Sequence, residues 1–433
     1  MMLVYTDIIT PRVNYAIGLV FTSVLNIPFK ITEDKKEFDE YTLPKIAYTR
    51  IPDFFGIYIA AHNLLFDTHT KEVMPEADKN YVDFPRFFKS NSQDFLGYDI
   101  FAMTFYFATR YEEYQVSEKD NHQRFQAEKS ISFKYKCLHI PFLNKAIHEF
   151  ALKLKQEFPS LNTVKRTFNF ISTIDIDNAF AYAHKGLTRN LGGLAKDVLS
   201  LKFAKALLRI KSNVNDQSDP YNTFDLINTL SGESKTALQY FVLIGDHSTY
   251  DKNPHHKNQG FRKLIKSLSV NHPIGLHPSY ESYNEPEKIG VEKKRLEEIT
   301  GKKVSSARCH FLRLTLPETY RTFIAEGITD DYTMIYASQS GFRTGLCTPF
   351  NWFDLEKNEP TNLMIHTSAI MEGTLRDYNK LSTEKAQNTA LLLMQEVKKY
   401  GGEFISIFHN DSFVAGENHW IDVYKSILNE SKS

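Results

Sequence analysis

Cysteine is scarce in this sequence. Cys137, Cys309 and Cys347 are the only three, and no two stand in a CxxC spacing. An odd count without that spacing implies neither a disulfide framework nor a cysteine zinc knuckle. Net charge is also missing: Lys+Arg and Asp+Glu both number 52. A zero balance gives no overall pull toward nucleic acid, and no nucleic-acid partner is expected. No apolar run reaches the roughly 18 residues of a membrane-spanning segment. The apolar stretch from Tyr15 to Leu25 follows Asp7, Pro11 and Arg12 and lacks a basic start, so it does not read as a signal peptide. A cytoplasmic protein is expected. No GxGxxG or GxxxxGK[ST] occurs, which leaves a dinucleotide or P-loop site without support. No internal repeat is found.

What is present is globular. Apolar residues make up 42% and charged residues 24% of 433, too long a chain for one ordinary core. Two domains follow as the expectation: an N-terminal α/β accessory domain over 1–160 and a second domain over 165–433. Phe (33) and Tyr (23) are abundant; such rings build cores or sugar-stacking platforms, and composition does not separate the two.

In the first region, 54–59 reads as a strand, and 100–114 and 142–158 as helices. Arg110, Glu112 and Glu113 at the end of 100–114 read as a solvated face or a local salt-bridge set. The polar stretch 117–130, with His122 and Arg124, reads as a loop. From about 165, apolar β-runs alternate with helical patterns. The runs are 168–174, 240–244, 273–276, 304–312, 333–337, 363–365 and 404–408; the helices are 259–269, 289–299, 317–326 and 380–399. This alternation predicts parallel βα units in a closed α/β barrel of seven or eight strands, with an open doubly wound sheet as the alternative. Leu187 to Lys211 is basic and amphipathic, with Lys196, Lys202, Lys205, Arg209 and Lys211. A solvated helix face is the preferred reading. The functional reading is peripheral contact with membrane lipids or with an anionic, lipid-linked substrate.

The stretch Phe168 to Tyr182 organises the second region. An apolar, β-branched run ends in Asp175-Ile176-Asp177. Alternation puts both carboxylates on one face of the strand end. That is costly unless they bind a metal, share a proton or meet water. Other predicted strands end similarly, in Asp246-His247 with Asp251 behind, in His277 and Tyr280, and in Arg308, His310 and Arg313. Asp330-Asp331, His366 with Glu372, and His409-Asn410-Asp411 complete the set. Each has a plain explanation as a loop residue capping a helix. Together they place carboxylates and imidazoles from separate strands on one rim. Such ligands suit a divalent metal of the zinc, iron, cobalt or nickel type. With a second carboxylate to take a proton from water and a His to give one to a leaving amine, the chemistry is metal-assisted hydrolysis of an amide or ester.

The order of these motifs resembles the polysaccharide deacetylases of the NodB-homology type, carbohydrate esterase family 4. It resembles more closely a Bacteroidetes subgroup with an extra N-terminal domain. RYEEY at 110–114 and the loop with Asp120, His122, Arg124 and Phe125 match that extra domain. STIDIDNAFAYAHKG, GLHPSY, RCHFLR, DDYTMIYA, GFRTG and FHNDS match the catalytic region. The resemblance implies a distorted (β/α)7–8 barrel and a hydrolase that removes an acetyl group from an N-acetylated sugar of a cell-envelope polysaccharide or its precursor. It implies Asp175 as catalytic base and Asp177 as metal ligand, with the reverse assignment open. Arg308 would orient the base, and His409 would assist the leaving group. The family's metal motif has two His four apart. His277 fits the first, but Glu281 stands at the second, so His247, Glu281 or Asp251 is left to complete a site for Zn2+. Tyr182, Tyr280, His310, Asp331 and Arg343 are candidate substrate contacts. The broken His pair and split Asp pair keep open a catalytically inactive carbohydrate-binding protein. An amidohydrolase with a non-sugar substrate is a further alternative.

Overall fold

The computed structural model describes all residues except 52–55, 91–92, 117, 163–165, 415, 417–418 and 433. Near the N-terminus lies a parallel sheet of β1 (Met2–Thr6), β2 (Phe29–Thr32), β3 (Lys45–Thr49) and β4 (Tyr58–Ala60), in the order β2-β1-β3-β4. Of the strand expected over 54–59, Tyr58 and Ile59 fall in β4 while Gly56 and Ile57 precede it; Phe54 and Phe55 lie outside the described residues. A short antiparallel pair, β5 (Ala77–Asp78) and β6 (Arg86–Phe87), follows. Helix Ile100–Ala108 is apolar all round and buried along its whole length, as such a sequence requires. Asp99 caps it, its carboxylate accepting from the Phe101 and Ala102 amides at 2.9 Å each.

The second region holds a nine-stranded sheet. Its strands are β7 (Phe168–Ile176), β8 (Ala237–Leu243), β9 (Ile274–His277), β10 (Ser306–Ala307) and β11 (Asp330–Asp331), then β12 (Phe350–Asp354), β13 (Glu359–Ile365), β14 (Ile370–Met371) and β15 (Gly402–His409). Their order is β12-β13-β11-β10-β9-β8-β7-β15-β14. Every neighbouring pair is parallel except β12 with β13. Helices 259–271, 287–300, 318–325 and 383–400 stand between strands where the periodicity predicts them.

Two expectations change. The sheet does not form a closed hydrogen-bonded ring among the described residues: it ends at β12 on one side and β14 on the other. β12 turns back onto β13 as an antiparallel hairpin, where a barrel would continue in parallel. The runs 304–312 and 333–337 are not full strands either. In the first, pairing is confined to Ser306–Ala307; the second forms no strand, because β11 is Asp330–Asp331 ahead of it and Met334, Ile335 and Tyr336 are buried in loop conformation. A buried apolar run satisfies burial without forming a ladder, and periodicity cannot tell the two apart.

The two regions share one continuous core, which runs from Val4 and Phe105 to Phe353 and Tyr424. Tyr15 packs its ring against Phe105 and Phe353, with centroids 6.0 and 5.0 Å away, and its hydroxyl donates to the Asn351 carbonyl. Arg110, in left-handed backbone at φ 56°, is buried. It pairs with Glu112 at 2.7 Å and Glu113 at 2.6 Å, and donates to the Tyr336 hydroxyl and the Arg343 carbonyl. Arg343 in turn forks onto Glu113. Of the two readings of Arg110, Glu112 and Glu113, the local salt-bridge set holds and the solvated face does not, and the set extends through Tyr336 and Arg343 to join the regions. Arg110→Met takes the cation from buried Glu112 and leaves Glu113 with Arg343 alone. We expect a loss of about 3–5 kcal/mol, read as a lower urea midpoint at unchanged slope.

Candidate metal and acid–base site

The site begins with the register of β7 and β15. His409 pairs directly with Asp175, so the two strand ends present their side chains side by side. Arg308, fully buried, donates to Asp175 at 2.6 Å and to the Tyr332 carbonyl at 3.0 Å, which holds that carboxylate in one orientation. Two residues on, Asp177 faces three imidazoles. The Nε2 atoms of His277, His310 and His409 lie 3.1, 3.2 and 3.5 Å from its carboxylate oxygens.

Each imidazole is oriented from behind. His277 Nδ1 donates to the Arg308 carbonyl, His310 Nδ1 to Asp251 at 2.8 Å, and His409 Nδ1 to Glu372 at 2.6 Å. When neutral, each ring therefore turns an unprotonated Nε2 toward Asp177, the tautomer a metal ligand needs. Asp251 is itself fixed by the Tyr280 amide and the Ser248 hydroxyl. Its loop can approach because Gly245 has no side chain; a Cβ there would lie 2.6 Å from Ser279 Cβ. His310 sits on a turn after β10 in which Phe311 and Leu312 both take positive φ, 58° and 56°, a conformation costly for bulky residues and common at functional sites.

Asp177, His277 and His310 are close enough together to ligate one ion. Among the described residues the Asp177 Oδ1 atom is buried and, apart from the His277 Nε2 at 3.1 Å, meets no donor, and this one-carboxylate, two-imidazole set fits a divalent metal. The electrostatics agree. Burial disfavours the charged forms, yet His310 and His409 hold the Asp177 carboxyl well below the usual carboxylate range. Against the same burial, Asp177 and Asp251 push His310 up to about 9, and Glu372 and Asp177 raise His409 well above an ordinary histidine. A site that draws protons this strongly also draws a cation. Asp175, Asp177, His277, His310 and His409 line a cavity of about 260 Å3 together with Phe311, Met371, Tyr378 and Arg376.

The cavity thus brings together Asp175, Asp177, His277, His310 and His409, with Arg308 beneath Asp175. His247 is exposed and stands apart from the cluster, and Glu281 is not in it. His310, expected as a substrate contact, occupies the place sought for His247. It reaches the cluster because β10 lies beside β9 in the sheet. The other proposed substrate contacts have structural partners. Tyr280 stacks on Tyr250 at 4.1 Å, and Asp331 accepts from the Tyr320 hydroxyl and the Thr333 amide. Arg343 is held by Glu113, and Tyr182 lies under the Arg209 guanidinium. Sequence reasoning noted Asp251 and Glu372 but did not pair them with His310 and His409, since only the packing of loops joins them. Phe311 and Tyr378 left no signal beyond being aromatic.

Residues 2–159 match a family of unknown function, DUF7033. No curated protein matches the chain. Among solved structures, a Mycobacterium smegmatis protein assigned as a polysaccharide deacetylase is similar at 12% identity and a TM-score of 0.40; the match covers 62% of this chain and 84% of that one. A polysaccharide deacetylase from Bacillus cereus is similar at 13% identity and a TM-score of 0.31, covering 61% of this chain and 87% of that one. Similarity at this level carries no chemistry, and the functional reading rests on the residues of this chain.

Calorimetric titration with Zn2+ should find one site per chain. His310→Ala should weaken it by about 100-fold or more and Asp251→Ala by about 10- to 100-fold, with His247→Ala unchanged. Equal loss in His247→Ala and His310→Ala would displace His310 from the site. A second expectation concerns Glu292, which accepts from the Ser279 amide. Burial raises its carboxyl from 4.5 to about 7. A raised carboxyl favours the folded state below its unfolded pKa, and that contribution is lost as pH rises through about 7. Thermal midpoints should therefore fall less between pH 5 and 8 in Glu292→Gln than in the parent.

Proposed function

We propose that this chain is a metal-dependent hydrolase that removes an acyl group, acetyl in the first instance, from an N-acylated sugar of a cell-envelope polysaccharide or its precursor. One observation carries the reading. An Arg-tethered carboxylate and a Glu-tethered imidazole flank the Asp177–His277–His310 cluster from neighbouring strands, in one cavity. Amide hydrolysis needs that pairing: a base for the attacking water and an acid for the departing amine.

In this mechanism Asp177, His277 and His310 hold a divalent ion, zinc by the chemistry of its ligands, which when bound lowers the pKa of water and polarises a carbonyl. Asp175, aimed by Arg308, accepts the proton of the attacking water. His409, kept protonated and aimed by Glu372, gives its proton to the sugar nitrogen as the C–N bond breaks. The products are a carboxylate and a free amine. The absence of a second His four residues after His277 was the ground for a non-catalytic carbohydrate-binding protein; His310, from the adjoining strand, supports the catalytic reading instead.

Room for a chain of sugars comes from a neighbouring cavity of about 330 Å3, which shares Arg124, Leu312 and Tyr378 with the first. Its wall is the segment 119–128, and Arg124 is anchored by Asp120 and the Phe311 carbonyl. As part of this proposal, residues 1–160 form an accessory unit that closes one side of the cleft over the 165–433 unit.

Acetate release from N-acetylglucosamine oligomers tests the reading. Asp175→Asn should lower kcat by about 10²–10⁴-fold with the Zn2+ content unchanged. A metal-loaded protein that releases no acetate from any N-acetylhexosamine oligomer would retire the sugar substrate.

A further inference from the structure

The helical pair that follows the Asp177 loop is built inside out. Helix Leu187–Leu199 buries only Asp197, and helix Phe203–Val214 only Ala206 and Ser212. Asp197 faces Arg209 at 2.9 Å and Lys205 at 3.6 Å, so a charge cluster joins the helices. Their apolar stripes are turned to solvent. Leu187, Leu191 and Val198 recur at helical spacing on one, and Phe203, Leu207, Ile210 and Val214 on the other. Leu199 and Leu201 at the turn are 84% and 75% exposed. Nine of the 25 large apolar side chains exposed among the described residues fall within 187–214. Between the stripes runs a groove of about 670 Å3, lined by Leu187, Leu191, Leu194, Ile210 and Val214.

Scattered exposed apolar residues need no explanation, but a contiguous patch does. Charge identifies what covers it. Residues 187–214 carry six basic side chains against one acidic, in a chain whose net charge is zero. A second copy of the chain would bring the same positive charge against itself. An anionic bilayer complements both features: apolar side chains enter the headgroup boundary while Lys196, Lys202 and Lys211 meet lipid phosphates. At 13 and 12 residues the helices span about 20 Å or less, short of the roughly 30 Å hydrocarbon core. No helix among the described residues is long and apolar enough to cross a membrane. The pair is thus long enough to lie on a bilayer and too short to span one.

We infer that 187–214 is a docking surface for an anionic phospholipid bilayer, and that it sets the cleft close to the membrane. The second clause follows from the connection. Residues 178–186 alone separate Asp177 from the first helix, and the Asp219 carboxylate at the far end of the pair accepts from the Ala181, Tyr182 and Ala183 amides. The inference does not depend on the hydrolase reading, and its test does not use activity.

The full chain is sedimented with vesicles of phosphatidylglycerol and phosphatidylcholine in equal parts, and with phosphatidylcholine alone. The double variants F203E/L207E and K202E/K211E change exposed positions only, and circular dichroism checks their fold. Binding to the mixed vesicles is expected, at least about tenfold weaker for phosphatidylcholine alone and for each double variant, and weaker as salt rises. No binding by the parent chain would overturn the inference. So would binding that F203E/L207E leaves intact, or a dimer in light scattering that F203E/L207E disperses while vesicles do not compete for it.

Discussion

The site depends on one half-buried carboxylate, Asp177, whose inner oxygen Oδ1 meets no amide or hydroxyl among the described residues. An ionised group taken out of water must be met by positive charge. Here that charge can come from three imidazoles whose Nε2 atoms converge on the two oxygens. The rings hold that arrangement because each is fixed from behind by a group of different origin. Arg308 supplies a carbonyl, Asp251 a loop carboxylate, and Glu372 a carboxylate one residue past β14. Removing any one frees a ring to turn, so precision at Asp177 is distributed over the ends of β9 and β15 and the segments that follow β8, β10 and β14.

Arg308 serves two of these roles at once. Its guanidinium fixes Asp175, and its carbonyl fixes His277. The carboxylate read as the base and one imidazole read as a ligand are thus placed by a single buried residue. Phe241 lies under the guanidinium, at 4.4 Å from its ring centroid, and closes the site from below. A substitution there would disturb proton transfer and ion binding together.

Charge pairs also join the two regions of the chain. Arg110 and Glu113 reach Tyr336 and Arg343, and Arg124 reaches Phe311 and Tyr378. These partners border the two cavities. The N-terminal region is therefore bound to the rim of the cleft, and apolar packing around Tyr15 and Phe105 continues the same contact into the core. This burial is why Arg110, Glu112 and Glu113, solvent-facing by composition, stand inside.

Much of this was legible before any coordinates. The apolar runs at 168–174 and 404–408 became the adjacent parallel strands β7 and β15, and the spacing of Asp175 and Asp177 placed both at one strand end. Short strands failed to read because two paired residues leave no periodicity, as at β10 and β11. The sequence by itself determined the alternation of strands and helices, the location of the acidic pair and the amphipathic character of 187–214. Local side-chain pattern decides each of these. Only the tertiary structure decided that His310 and not His247 joins Asp177, that Asp251 and Glu372 orient His310 and His409, and that the apolar stripes of 187–214 face outward. Those outcomes depend on which strands lie adjacent and which loops pack together, and contacts between distant residues leave no spacing to read.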